Sequence, residues 1–466
     1  MKRLICLSVP CMLVGLMIGH SASLQAGTRT DSATALPNFL IIIADDMACE
    51  DCGAYGHPHI RTPNIDRLAK EGIRFDQAFL TCSSCSPSRA SIMTGRYPHA
   101  TGAPELHQPL PASQVLLTTP LRQAGYYTMA AGKWHLGNAV KPQFDVVREG
   151  GGDGAYGFWL PVLRDRDRSR PFFAWLATTD PHRDYATGTL DPSHRESDGV
   201  VPPYLPDVPD TRRDLAMYYD EIGRLDQWVG KVREELEAQG VWDNTVVIFL
   251  SDNGRPFPRC KTTVFDSGVR TPLIIRLPRN LHAGAVCKAL VSSIDLAPTL
   301  TAMAGVDPLP TFQGVSMLPL LDNPQAKIRD YVFSEHNWHD YRAFERSVRT
   351  ERYLLIRNWV TDVPRTPPAD AVRSPTFQAM RRLRDAGQLT PEQMQCFVLP
   401  TSEIELYDTQ VDFHNLHNLA DKPEMREIGD KLQTVLSEWM QRTNDAVPPQ
   451  LTPDRFDRET GLPISK

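Results

Sequence analysis

The residue types best suited to chemistry lie in one short run, Cys82-Ser83-Ser84-Cys85-Ser86-Pro87-Ser88-Arg89-Ala90-Ser91-Ile92-Met93-Thr94-Gly95-Arg96. Small polar residues begin it as a turn. Pro87 fits the first turn of a helix, where no amide donor is needed, and Gly95 supplies a C-terminal stop. Cys85 then falls at a helix N-terminus, where the amide dipoles favour negative charge. An acidified, reactive thiol is expected there. Arg89 follows one turn later on the same face. The pair suits an oxyanion such as sulfate, phosphate or carboxylate, although a helix cap beside an ordinary buried cysteine has the same spacing.

Other polar groups follow apolar runs. Phe39-Leu40-Ile41-Ile42-Ile43-Ala44 and Thr245-Val246-Val247-Ile248-Phe249-Leu250 read as strands buried on both faces of a parallel sheet. The first ends in Asp45-Asp46 and the second in Ser251-Asp252-Asn253-Gly254. Ligands of open α/β sheets bind beyond the carboxyl ends of the strands. Adjacent carboxylates repel unless a cation lies between them. Four hard oxygen donors suit calcium or magnesium better than zinc; the alternative is that one aspartate caps the following turn. Gly132-Lys133-Trp134-His135-Leu136-Gly137 brackets a cation and an imidazole with glycines that permit close approach. A third strand, Phe172–Ala177, leads into Thr178-Thr179-Asp180-Pro181-His182-Arg183, so His182 belongs to the same edge or to a solvated loop.

The 466 residues carry a formal net charge of −6, which argues against a nucleic-acid partner. An anionic substrate therefore requires a local basic pocket and not a global field. Met1-Lys2-Arg3, the apolar run Leu4–Ile18 and the small residues through Ala26 have the layout of an export signal over residues 1–26, too short for a membrane span. Its removal leaves Cys49, Cys52, Cys82, Cys85, Cys260, Cys287 and Cys396, an odd number, with any pairing open. An exported compartment permits disulfides.

Length favours two regions. Residues 37–325 carry the strand ends above. Thr62–Gly72, Arg213–Gln239 and Asp295–Ala304 read as helices within that region, and residues 184–209 as a long loop that could wall a pocket. Residues 326–445 have shorter alternating segments (Tyr331–Ser334, Tyr353–Ile356, Glu405–Asp408) and a helix over Pro423–Arg442. They suggest a small antiparallel sheet with a covering helix. Residues 446–466 read as a Pro-rich surface tail.

Cys85-Ser86-Pro87-Ser88-Arg89 with its Thr94-Gly95-Arg96 ending resembles the sulfatase signature. Gly132-Lys133-Trp134-His135-Leu136-Gly137 resembles a second motif of that family, and the likeness spans nearly the whole chain. It is nearest the N-sulfoglucosamine sulfohydrolase branch at Leu106-His107-Gln108, Asp180-Pro181-His182-Arg183, Val201–Asp207 and Ser251–Pro258. The resemblance implies an α/β fold: an alkaline-phosphatase-like sandwich with a large mixed, mostly parallel sheet, plus a smaller α+β C-terminal domain with an antiparallel sheet. It implies that Cys85 is oxidised to formylglycine by a maturation enzyme. It also implies a divalent metal, usually calcium, held by Asp45, Asp46, Asp252, Asn253 and the Cys85 side chain.

Arg89, Lys133 and Lys261 would then stabilise charge, His135 act as base and His182 face the leaving group. Lys261 departs from the arginine that this branch can carry, which weakens the choice of S–N over S–O cleavage. His107, Arg183, His336 and His339 are further substrate-binding candidates. The implied substrate is a sulfated glycosaminoglycan oligosaccharide or monosaccharide. The implied location is periplasmic or secreted, or lysosomal in a eukaryote, with no transmembrane segment, and a homodimer is compatible with the resemblance. A phosphoesterase of the same superfamily and an unmodified, non-catalytic glycan-binding protein are the competing classes.

Overall fold

A computed structural model describes residues 36–465. The expected export signal, residues 1–26, lies outside the described residues. Within the described residues, β1 (Asn38–Ala44), β2 (Ile73–Phe75), β3 (Tyr127–Gly132), β4 (Val146–Glu149), β5 (Phe172–Ala177), β6 (Thr245–Ser251), β7 (Leu273–Arg276) and β8 (Ala285–Cys287) form one eight-stranded sheet. Its order is β4-β3-β5-β1-β6-β7-β2-β8. The pairs β4/β3, β3/β5, β5/β1 and β1/β6 are parallel, whereas β7 runs antiparallel to both neighbours.

Alternation along β1 explains the layering. Leu40, Ile42 and Ala44 enter one buried cluster, and Phe39, Ile41 and Ile43 enter another on the opposite side of the sheet. The helices α1 (Pro63–Glu71) and α3 (Pro209–Ala238) supply Ile65, Leu68, Leu215, Ile222, Leu225 and Val229 to the first cluster. The helices α2 (Cys85–Thr94) and α4 (Leu296–Met303) supply Ile92, Met93, Leu296 and Leu300 to the second.

The C-terminal sheet consists of β9 (Val332–His336), β10 (Glu345–Arg349), β11 (Tyr353–Asn358) and β12 (Ile404–Asp408), antiparallel and in chain order. Helix α7 (Arg426–Thr443) covers it by packing Leu432, Leu436 and Trp439 against Phe333, Val348, Leu355 and Leu406. The mixed sheet and the separate antiparallel sheet are those of the expected fold class. Between β11 and β12, helices α5 (Ala369–Val372) and α6 (Pro375–Asp385) run back to the first region. Ala369, Val372, Phe377 and Met380 are buried in its α1/α3 cluster. The expected boundary at residue 325 therefore separates two sheets but not two cores. Strand β10, the strands β3 and β4, and helix α6 were not legible as elements.

All seven cysteines from Cys49 to Cys396 are buried free thiols. Among the described residues no helix is long and apolar enough to cross a membrane.

Register decides where the polar residues go. Gly132 lies opposite Ala177, Ala177 opposite Ile43, and Ala44 opposite Ser251. Four consecutive parallel strands thus end in one row, and the segments after them leave from one edge. Gly132 has φ +96°, and a Cβ there would stand 1.8 Å from the Ala177 carbonyl oxygen. Replacement Gly132→Ala should destabilise the protein by about 3 kcal/mol or more, read as a lower urea midpoint. An unchanged midpoint would show that the β3–β5 approach is not as tight as described.

Candidate active site

The strand ends bring together residues far apart in the chain. Asp45 and Asp46 follow β1, Asp252 and Asn253 follow β6, Lys133 and His135 follow β3, and His182 follows β5. Asp46 has φ +76°, a left-handed turn that aspartate tolerates better than most residues. That turn lets its amide donate to Asp252 Oδ1 at 3.2 Å. Ligand atoms of Asp45, Asp46, Cys85 and Asp252 all lie within 4.8 Å of one another.

Cys85 is the first residue of α2, and Gly95 (φ +63°) ends that helix as expected. The Cys85 side chain is 2 % exposed, with Sγ 3.9 Å from Asp46 Oδ1. Its acidification is not observed. Burial pushes the thiol up despite Lys133 and Lys261, because removing a thiolate from water outweighs their attraction. The Ser84 hydroxyl before it makes no cap and instead lies 2.7 Å from His339 Nδ1.

Three cations enclose the carboxylates. Arg89 donates through Nε to Asp252 Oδ2 at 2.8 Å and through Nη1 to the Lys133 carbonyl at 3.1 Å, while its Nη2 lies 3.6 Å from Asp45 Oδ1. Lys133 Nζ contacts Asp45 Oδ2, and Lys261 Nζ donates to Asp46 Oδ2 at 2.7 Å. Burial works against ionisation of Asp45, but Lys133, His182, Arg89 and Lys261 hold its carboxyl well below the usual range. Asp252 is raised to about 6, by burial first and by Asp45 second.

Asp45 Oδ1 and Asn253 Oδ1 are buried and accept no hydrogen bond from protein. Such atoms need a partner. Two oxygens without protein donors, set among further carboxylates, fit a hard divalent cation. Asp45, Asp46, Asp252 and Asn253 are the residues that would hold it, with Cys85 beside them.

A cleft of about 480 Å³ opens over this cluster. Cys85, Lys133, His135, His182 and Lys261 line it, together with His107 and His339 from the expected binding set. His135 Nε2 lies 2.8 Å from Nδ1 of exposed His107. Burial first, then Lys133 and Arg89, lowers the His135 pKa to about 2, so its ring is neutral. His182 Nε2 is 3.9 Å from Asp46 Oδ2 and 3.8 Å from Asp370 Oδ2. The loop carrying it is anchored by Asp180, whose carboxylate accepts two 2.7 Å bonds from Arg224 and one of 2.8 Å from Tyr156.

Two expected substrate contacts lie elsewhere. Arg183 forms a bidentate pair with buried Asp214, at 2.7 and 2.8 Å, and donates to the Pro256 carbonyl at 2.9 Å, so it braces the wall from behind. His336 lies in β9 and faces a neighbouring cavity with Tyr341, Glu345 and Arg365. The loop at 184–209 lies against α3, where His194 Nδ1 is 2.8 Å from Asp220 Oδ1, and none of its residues lines the cleft. The wall comes instead from Leu106, Asp340, Ala369, Asp370, Arg373 and Phe456. Sequence reading missed Asp340, Asp370, Arg373 and Phe456. They lie in irregular segments or on a four-residue helix, with no periodicity or motif to mark them.

A mixed sheet with this row of strand ends, joined to a covered antiparallel sheet, is the architecture of the sulfatases. The chain belongs to the sulfatase family: the family model described as Sulfatase matches residues 37–306. A second model, N-sulphoglucosamine sulphohydrolase, C-terminal, matches residues 260–365. The chain is thus a hydrolase of sulfate esters or sulfamates. It is 32% identical to the Homo sapiens N-sulphoglucosamine sulphohydrolase, over 88% of this chain and 90% of that one. It is 31% identical to an ulvan-active sulfatase of Formosa agariphila, over 95% of this chain and 82% of the relative. Among solved structures, one determined with its substrate D-glucosamine-2-N,6-O-disulfate superposes with a TM-score of 0.69. That match has 21% identity and covers 88% of this chain and 99% of the other.

The bracing role of Arg183 has a measurable consequence. Arg183→Ala leaves Asp214 buried without its partner and should lower stability by about 3–5 kcal/mol, measured by chemical denaturation. A variant of unchanged stability with a weakened substrate KM would return Arg183 to the binding set.

Proposed function

We propose that this chain is an exported sulfatase that removes the N-sulfate from glucosamine residues of heparin or heparan sulfate fragments. It uses formylglycine made from Cys85 and one divalent cation, calcium by donor type. The observation that carries the reading is that Cys85, grouped with the buried carboxylates of Asp45, Asp46 and Asp252, opens on a cleft that Lys133, Lys261, His135 and His182 also line. The relationship to N-sulphoglucosamine sulphohydrolase across both sheets supports the choice of bond.

When present, the hydrated aldehyde supplies an oxygen nucleophile and the cation supplies Lewis acidity. The protein's own groups do the rest. Lys133 and Lys261 line the cleft and offset charge that develops on the sulfuryl oxygens. Arg89, held by Asp252 and the Lys133 carbonyl, keeps the start of α2 against the carboxylates. His182 delivers a proton to the departing nitrogen or oxygen. His135 lines the cleft beside position 85 and is linked to solvent through His107, which places it to accept a proton there.

Sulfate release from N-sulfoglucosamine, compared with 6-O-sulfoglucosamine, tests the assignment. Faster release from the first is expected, and release from the second alone ends the N-sulfatase reading. A second reading, an O-sulfatase for a sulfated carbohydrate, is favoured by Lys261 and by the ulvan-active relative. Lys261→Ala should lower kcat/KM about a hundredfold or more. His182→Ala should cost less on an aryl sulfate, whose leaving group needs no proton, than on a sulfated sugar. An equal loss on both would remove His182 from the acid role.

A further inference from the structure

The cleft contains a group that a sulfuryl site by itself does not explain. Asp370 lies in α5, on the wall opposite the β1 and β6 strand ends, and its side chain is 19% exposed. Burial opposes its ionisation, yet Lys261, His182 and Arg183 hold its carboxyl below the ordinary range. It is a carboxylate in a cleft whose floor collects cations.

One of its oxygens is occupied, because Oδ1 accepts the Ala371 amide at 2.7 Å. The other, Oδ2, stands 3.8 Å from His182 Nε2, beyond hydrogen-bond distance. Asp340, the other carboxylate on this wall, uses Oδ2 to accept the Ala369 amide at 2.9 Å and so fixes the start of α5, and burial pushes its carboxyl up, toward the neutral form. Arg373 is likewise turned aside, donating to the Gly461 carbonyl at 2.6 Å.

An ionised carboxylate repels sulfuryl oxygens, so Oδ2 must face another part of the substrate. It stands 3.8 Å from His182, which the proposed function sets beside the leaving atom. The substrate group within reach is therefore a substituent on the ring carbon next to the sulfated one. A carboxylate there accepts a proton from a hydroxyl and excludes a second anion. Resting on the sulfated-sugar reading, we infer that Asp370 Oδ2 accepts a hydrogen bond from the hydroxyl adjacent to the sulfated position and selects sugars in which that hydroxyl is free. For an N-sulfated glucosamine whose C1 oxygen is engaged in a glycosidic bond, this is the 3-hydroxyl. Asp370 is then a specificity-determining residue, contributed by the C-terminal region after residue 325 to a site whose Arg89, Lys133 and Lys261 precede it.

The test is a cycle between enzyme and substrate. Sulfate release is measured for the matured full-length protein and for Asp370→Ala, on glucosamine 2-N-sulfate, its 3-deoxy analogue and the 2-N,3-O-disulfate. The unaltered protein should lose about tenfold or more in kcat/KM on the 3-deoxy sugar, the size of a hydrogen bond to a charged group. It should lose more on the disulfate. Asp370→Ala should treat the parent and 3-deoxy sugars alike and narrow the gap to the disulfate. The comparison of sugars on the unaltered protein needs no folded variant. Equal turnover of the parent and 3-deoxy sugars by that protein would overturn the inference and leave the proposed function standing. Release from none of the three would overturn the reading on which it rests and the inference with it.

Discussion

Three carboxylates buried in one crevice are the constraint around which this protein is arranged. Asp45, Asp46 and Asp252 are each 0% exposed, and no fold places such groups together without compensation. Here Arg89, Lys133 and Lys261 compensate them, one from a helix and two from segments that follow different strands. A buried ion whose partner is removed costs several kcal/mol, so each contact ties its own segment to the sheet edge. Helix α2 is therefore held by charge as well as by the packing of Ile92 and Met93. Cys85, at its first turn, is set beside the strand ends of β1 and β6.

The C-terminal region is the second part of the site. Trp338 packs on Cys85 and Leu106, and its indole donates to the Pro453 carbonyl at 2.8 Å. Arg455 lies over the same ring at 4.8 Å. The neighbouring His339 meets Ser84, the residue before Cys85. Pro453 and Arg455, from the stretch expected as a surface tail, thus secure the loop that covers position 85, and Phe456 joins the cleft. The first region supplies the cationic floor and the second closes the wall above it.

The floor was legible in the chain because its residues obey local rules. Apolar runs of six or seven residues followed by acids or histidines give parallel strands with ligands at their ends, and parallel neighbours necessarily share one end. Asp45, Asp46, Asp252, Asn253 and His182 all come from such junctions, and the two glycines that flank Lys133-Trp134-His135 mark Lys133. What could not be read depends on long-range packing. The thiol of Cys85 was expected to be acidic from its place at a helix start, but the depth of its burial is a tertiary property. Arg183 adjoins His182 in sequence, yet Asp214, 31 residues away, draws its side chain out of the cleft. Asp370 belongs to a short helix between two strands of the other sheet, where neither period nor composition marks it.

On the proposed function, these carboxylates form a cation site and are more than a charge network of the core. Calorimetric titration of calcium into the metal-stripped protein tests it most directly, with Asp252→Asn as the comparison. The account predicts one ion bound per chain and a loss of that binding in the variant. Calcium binding that is absent, or that is the same in both proteins, would contradict it.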